Sequence, residues 1–254
     1  MIYDLQKASF LKRVSAWLLD FILIVILITG CAWGISAALN FSQNSEELDT
    51  IISGYEEKFG LNFSITYDEY DEMTEQEKKY FNDSYNEVIK DEAYIRLTNL
   101  IFYSLITIVS LSLFISHFVL EFVVPLLFKN GQTIGKKVFS IAVMRVDGVK
   151  VTPVIMFVRA ILGKYTIEVM IPVIILLMMR FGVGSIVTLA VVVLIVLFNL
   201  VLVIATKTNS FIHDIISSTV VVDLQSQMIF DSVEAKKEYQ MRLHNEEVKN
   251  SKYF

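Results

Sequence analysis

The hydrophobic residues of this chain lie in a few long runs, separated by segments rich in charged residues. The first run, residues 14–39, contains 26 residues, and its single charged side chain is that of Asp20. The hydrocarbon core of a bilayer is about 30 Å thick, so a helix of about 20 apolar residues spans it. The run therefore predicts a membrane-spanning helix with a carboxylate inside it.

Two further runs complete the hydrophobic pattern, residues 97–128 and residues 166–206. A single helix over the last run would be about 60 Å long, twice the thickness of the hydrocarbon core. The turn-like residues 181–185 therefore predict two spans there. The predicted fold is an all-α membrane protein, a four-transmembrane-helix bundle with a small cytoplasmic β-hairpin or sheet element.

The basic residues predict the orientation of these spans, because short cytoplasmic loops are enriched in Lys and Arg. Residues 129–164 hold seven basic residues and one acid, whereas residues 40–96 hold fifteen acids and five basic residues. Both termini are expected in the cytoplasm. The predicted regions are a cytoplasmic N-terminus with span 1 (1–39), an acidic, mostly helical extracytoplasmic insertion (40–96), span 2 (97–128), a basic cytoplasmic loop with a β-hairpin and an interfacial helix (129–165), spans 3 and 4 (166–206), and a cytoplasmic C-terminal strand and tail (207–254).

The basic loop contains a strand pattern. Residues 141–146 and 149–152 are rich in β-branched residues, and Asp147-Gly148 between them is typical of a type I′ hairpin turn. Thr219–Asp223 has the same character and can add a third strand.

Two helix starts are predicted outside the apolar runs. Thr74 and Glu77 form a capping-box pattern, which predicts a helix from Glu75 that continues unbroken into span 2. Thr152-Pro153 predicts a helix that lies along the inner membrane surface.

Several segments together carry a resemblance: K-R-V-S-A-W-L-L-D at span 1, F-V-L-E at the end of span 2, G-Q-T-I-G-K-K-V-F-S-I-A-V-M-R-V-D-G in the loop, F-V-R-A-I-L after it, and H-D-I-I-S-S-T-V-V-V after span 4. In this order they resemble the RDD family of bacterial membrane proteins, named for one arginine and two aspartates. The resemblance implies a multi-pass protein of the bacterial cell membrane. It also implies transport, since sodium/proton exchange is associated with some members.

The resemblance identifies motif residues in this chain. Arg13 and Asp20 match the first two residues of the family name, and Asp214 matches the third better than Asp147 does. The remaining motif residues fall inside the similar segments: Gly135, Lys136 and Arg159.

Polar side chains inside the predicted spans share one depth. Asp20, Glu121 and Asn199 each lie about 10 Å from the cytoplasmic end of their span, at a rise of 1.5 Å per residue. Glu168 joins this layer if span 3 begins near residue 161, and His117 lies one turn deeper than Glu121. Charged groups that face lipid are costly, so we expect these side chains to converge and to share protons, a cation or hydrogen bonds.

A purely structural role is the alternative for these acids. In that case Arg13, Arg159 or nearby Ser and Asn side chains satisfy Asp20 and Glu121 and hold the helices in register. Asp214, at the membrane interface, is expected to cap or pin the cytoplasmic hairpin.

Other function classes have little support in the sequence. No zinc-binding H-E-x-x-H pair and no motif context for a nucleophile is present, so no catalytic residue, metal or cofactor is predicted. The tail has no basic excess, which argues against nucleic-acid binding. The favoured function is a cation/proton transporter that uses Asp20 and Glu121, with Asn199 as a neutral ligand. Four helices leave little room for alternating access, so such a transporter is expected to be a homo-oligomer.

The alternative function is a membrane scaffold or assembly factor without catalytic activity. It would bind a membrane-protein partner through the acidic segment or the tail. In both cases the lipid bilayer is the expected surrounding.

Overall fold

The computed structural model describes residues 5–180, 182 and 185–251. The helices among them that are long and apolar enough to cross a membrane are four: span 1 (Phe10–Ala38), span 2 (Glu92–Phe128), span 3 (Pro153–Met179) and span 4 (Ile186–Ala205). The predicted all-α membrane fold with a small sheet is confirmed. Of the turn predicted between spans 3 and 4, residues 181, 183 and 184 lie outside the described residues.

The described residues outside the spans form shorter elements. The helices are α1 (Phe41–Phe59), α2 (Tyr67–Glu72), α3 (Glu75–Val88), α4 (Ile134–Val138), α5 (Ile212–Ile216) and α6 (Val233–Ser251), and the strands are β1 (Ile141–Arg145) and β2 (Thr219–Asp223). By internal packing the chain divides into two units: unit 1 holds residues 1–28 and 113–254, and unit 2 holds residues 29–112.

The two strands of unit 1 pair directly with each other. They are antiparallel, with Ile141 opposite Asp223 and Arg145 opposite Thr219. Apolar side chains on both faces of this sheet are buried; one face packs with Ala8 and with Ala16 of span 1. Because a strand buried on both faces gains from apolar residues at every position, β2 is nearly continuous in valine.

The predicted hairpin is replaced by this longer-range pairing. Beyond the turn, Lys150 forms only an isolated bridge with Met144, because the chain enters a helix at Pro153. Gly148 has a φ of 86°, whereas Asp147 is not among the residues with positive φ. A type I′ turn needs positive φ at both central residues, so that part of the prediction is wrong.

Span 3 is longer than the sequence predicted. An α-helical turn (Pro153–Phe157), a π-helical segment (Val158–Met170) and a second α-helical segment (Ile171–Arg180) follow one another without a break. The cap at Thr152 is confirmed, since its hydroxyl accepts the N–H of Ile155 at 3.3 Å. The helix predicted from Pro153 is not separate, because it continues without a break into span 3.

Span 2 also contains a π-helical segment. Residues Phe118–Val123 have this geometry, between the α-helical parts Glu92–His117 and Val124–Phe128. π-Helical turns are rare and often occur at functional sites.

Unit 2 contains α1, α2 and α3. The capping box at α3 is confirmed: Thr74 accepts the N–H of Glu77 at 3.4 Å, and the Glu77 carboxylate accepts the N–H of Thr74 at 2.8 Å. The predicted unbroken helix into span 2 is wrong, because α3 ends at Val88. Asp91 starts the next helix, where its Oδ1 accepts the N–H groups of Ala93 (2.8 Å) and Tyr94 (3.0 Å).

Candidate functional site

Asp20 of span 1 is buried and binds the loop between spans 2 and 3. Its Oδ1 accepts the N–H of Gly135 at 2.8 Å, and its Oδ2 accepts the hydroxyl proton of Thr133. The ammonium group of Lys136 lies 3.9 Å from Oδ2. Burial lowers the pKa of Lys136, while the negative charges of Glu121 and Asp20 favour its charged form. The Asp20 carboxylate is thus held by two hydrogen bonds and a nearby cation.

Glu121 is buried in the π-helical part of span 2 and pairs with Lys164. Lys164 lies in the π-helical part of span 3, so this ion pair joins the two irregular segments. His117 is buried next to the pair, and its Nδ1 donates to the carbonyl oxygen of Leu113 at 2.9 Å. Its ring centroid lies 5.7 Å from that of Tyr165.

Glu168 of span 3 binds His213 of α5. The Nδ1 of His213 lies 2.9 Å from both carboxylate oxygens, and the backbone N–H of His213 donates to Oε1 at 3.2 Å. A Cβ atom at Gly163 would lie 2.7 Å from the Cβ of His213, so only glycine permits this close approach of α5 to span 3. Among the described residues, the ion-pair partner of Glu168 is a histidine rather than a Lys or Arg.

Asp214 is fully buried and is shared by two arginines. Arg159 donates to its Oδ1, and Arg13 lies 3.5 Å from its Oδ2, which also accepts the N–H of Phe211 at 3.1 Å. Burial by itself raises the pKa of Asp214. The positive charges around it, first that of Arg159 and then those of His213 and Arg13, outweigh burial and lower that pKa.

Asn199 of span 4 joins that span to α5. Its Oδ1 accepts the N–H of Ile212 at 3.1 Å, and its Nδ2 donates to the carbonyl oxygen of Ile195 at 3.2 Å. The amide thus binds backbone groups next to His213.

A cavity of about 100 Å³ lies among these groups, enough for several water molecules. Two carboxylates line it, those of Asp20 and Glu168, together with the imidazole of His213. Four basic side chains complete its charged lining: Arg13, Lys136, Arg159 and Lys164. Glu121 is linked to the cavity through Lys164. The structure therefore brings acids from spans 1, 2 and 3 to one place.

The charges around the cavity are balanced in number. Four acids face four Lys or Arg side chains: Asp20, Glu121, Glu168 and Asp214 against Arg13, Lys136, Arg159 and Lys164. Balance is expected, since an unpaired charge in a buried site is strongly destabilising. A further cation can bind a carboxylate here only in competition with a basic side chain.

The arginine partners that the sequence analysis expected for Asp20 and Glu121 are wrong. Arg13 and Arg159 bind Asp214 instead. A loop hydroxyl and an N–H group bind the first acid, and a lysine binds the second. Asp214 caps the start of α5, where its Oδ2 accepts the N–H of Phe211; its expected role at the hairpin stays a prediction.

Sequence reasoning missed Thr133, Lys164 and His213 as functional side chains. Lys164 was counted among the seven basic residues of the predicted cytoplasmic loop. Its position four residues before Glu168, in the same apolar segment, was an available signal for an inward-facing lysine. Thr133 and His213 carried no such signal, because their partners lie 113 and 45 residues away.

Among the residues that the structure describes, no three His, Cys, Asp or Glu side chains are arranged to hold a metal ion. The pairs above are acid–base pairs, in which each carboxylate is next to a donor.

Comparison with protein families gives one finding. The model of the RDD family matches residues 7–218, which include the four spans and every charged residue around the cavity. Comparisons with curated proteins and with solved structures found no match. Three residues match the family name. Arg13 and Asp214 contact each other, and Arg13 and Asp20 both line the cavity. The chain belongs to the RDD family.

Proposed function

We propose that the protein exchanges a monovalent cation for a proton across the membrane, with the cavity as the binding site. The observation that carries this proposal is the gathering of acids from three spans at one cavity: Asp20, Glu168 and, through Lys164, Glu121. Ionisable side chains inside membrane spans are costly, and they commonly mark the paths of ions and protons.

The acid–base pairs supply the coupling in this proposal. A cation that binds Glu121 must displace Lys164 from it. Because the acids and the basic groups around the cavity are equal in number, an added cation leaves an excess positive charge, which the loss of a proton removes. Binding of the cation and release of the proton therefore favour each other.

The same proposal includes an orientation. The seven basic residues among residues 129–164 favour a cytoplasmic location for this loop, and hence for both termini. Arg13 lies near the start of span 1 and Lys136 lies in that loop, so the cavity would open toward the cytoplasm.

Flux measurements in vesicles test the transport proposal. The full-length protein is reconstituted with a pH-sensitive dye inside, and sodium, lithium or choline chloride is added outside. We expect sodium or lithium to drive proton movement that choline does not, and we expect Glu121→Gln and Glu168→Gln to lose most of it. Glu47→Gln, an exposed acid of α1, is the matched control and should retain the flux. Equal responses to sodium, lithium and choline would refute transport.

A scaffold function is the second candidate, and a specific observation favours it. Among the described residues, every buried side-chain nitrogen or oxygen atom has a hydrogen-bond partner. Such complete pairing is what a network needs in order to hold helices in register. In that case a membrane protein that co-purifies with the full chain should be lost on deletion of residues 45–92, while flux stays at the choline level in both.

A further inference from the structure

We infer that Asp20 is a positioning residue: it holds residues 133–136 against span 1 and thereby fixes the ammonium group of Lys136 at the cavity. The effect of the fixed Lys136 charge on ion binding rests on the proposed function. The arrangement itself can be tested without any transport.

Thr133 links the carboxylate to the lysine. Its hydroxyl donates to Asp20 and accepts both the N–H of Lys136, at 3.3 Å, and the Lys136 ammonium group, at 3.2 Å. A hydroxyl has one donor and two acceptor positions, and all three are used here. Since Thr133 is fully buried, water cannot replace these partners. The orientation of Lys136 therefore depends on a side chain that Asp20 holds.

Gly135 allows the loop to reach the carboxylate. A Cβ atom at this position would overlap the carbonyl oxygen of Ala16 and lie 2.9 Å from the Cγ of Asp20. The backbone N–H of Gly135 can donate to Asp20 at 2.8 Å only because no side chain separates the loop from span 1. Glycine is therefore required here by the close approach of two backbones.

Lys136 is placed by these contacts rather than by a direct hydrogen bond to Asp20. Its ammonium group lies 3.9 Å from Asp20, beyond hydrogen-bond distance, yet the side chain lines the cavity. A cation that enters the cavity therefore meets a fixed positive charge. The next residue, Lys137, is exposed and gives a natural comparison within the same helix.

Chemical labelling of lysines tests this positioning. The purified full-length protein in micelles is treated briefly with an amine-reactive reagent, and the modified fractions of Lys136 and Lys137 are measured by mass spectrometry. In the wild type we expect Lys137 to react and Lys136 to be protected. Asp20→Ala should raise the labelling of Lys136 about tenfold, since the loop loses hydrogen bonds to a buried charged group.

Gly135→Ala should raise the labelling of Lys136 by a similar factor, although it changes no ionisable group. Gly34→Ala is the matched control, because a Cβ there meets no atom within 4 Å. Thr133→Val keeps the shape of the side chain and removes only its hydroxyl, so it separates lost hydrogen bonds from misfolding. It should give an intermediate increase in the labelling of Lys136. Protection of Lys136 that survives Asp20→Ala and Thr133→Val, with the other lysines unchanged, would overturn the inference.

Transport gives a second, separate measurement. If Asp20 positions the loop, Gly135→Ala should lose as much flux as Asp20→Ala, and Asp20→Asn, which keeps an acceptor for the Gly135 N–H, should lose less. If Asp20 instead binds the cation through its charge, Asp20→Asn should match Asp20→Ala while Gly135→Ala retains flux. A wild type without flux would refute the proposed function alone, because the labelling result would still decide the role of Asp20.

Discussion

Acidic side chains occur in both units of the chain, but their surroundings differ. In unit 2, Glu47 pairs with Arg96 at 3.3 Å, and these side chains are 54% and 64% exposed. In unit 1, Asp214 pairs with Arg159, and their exposures are 1% and 7%. Water and salt screen the exposed pair, whereas removal of one partner from the buried pair leaves a charge without solvent. Burial, rather than the number of acids in a segment, therefore decides which of them stabilise the fold.

The largest effect should come from breaking the buried pair. Arg159→Met should reduce the free energy of unfolding by about 3–5 kcal/mol, because Asp214 stays buried with only the more distant Arg13 and His213 beside its charge. Glu47→Gln should change it by less than about 1 kcal/mol. Chemical unfolding in mixed micelles measures both variants. Similar losses in the two variants would contradict the contrast between the units.

The pH dependence of stability should also separate the units. The pKa of Asp214 in the folded protein lies below its ordinary value of 3.8, because the charges and the hydrogen bond that favour the carboxylate, first the charge of Arg159, together outweigh burial. Its charged form therefore stabilises the fold above about pH 4, and this contribution is lost as the pH falls through the lower, folded pKa. We expect the unfolding midpoint of the wild type to fall between pH 4 and pH 3.

Asp214→Asn is the control for this pH dependence. It should be less stable at pH 6, but its midpoint should change less between pH 4 and pH 3. A wild type and a variant that respond in parallel would show that other carboxylates control acid unfolding.

The sequence predicted correctly those parts of the fold that have a local signal. Long apolar runs identify the spans, and the threonine caps at Thr74 and Thr152 identify helix starts, because these signals lie within a few residues. Span 3 was placed too late because Arg159 and Lys164 interrupt its apolar pattern. They are tolerated there since each has a partner of opposite charge in the fold.

The pairing at the candidate site could be predicted only in part. Depth along the helices placed Asp20, Glu121 and Glu168 in one layer, and the structure brings them around or next to one cavity. Which basic group each acid binds depends on how distant segments pack. The contact of Asp20 with Gly135, for example, spans 115 residues and follows from the shape of a glycine rather than from any charge pattern.

A smaller effect should distinguish glycines in the two units. Gly163→Ala should destabilise the protein by about 1–3 kcal/mol, because the new methyl group would lie 2.7 Å from the Cβ of His213 in a closely packed region. Gly54→Ala, within α1, meets no atom within 4 Å and should stabilise that helix by up to about 1 kcal/mol. Thermal unfolding of the two variants should therefore shift in opposite directions. A destabilised Gly54→Ala would contradict the open surroundings of Gly54.

The smallest effect should be the same in both units. Thr74→Ala and Thr152→Ala each remove a hydroxyl that accepts a backbone N–H at a helix start, at 3.4 Å and 3.3 Å. Such a cap contributes about 1 kcal/mol, and its hydrogen bond lies at the helix end whether or not the helix is packed. Hydrogen exchange of the first-turn amides should accelerate by a similar factor, about fivefold, in each variant. Both helix starts are exposed, so a much larger acceleration after Thr152→Ala would mean that the start of span 3 depends on its cap more than the start of α3 does.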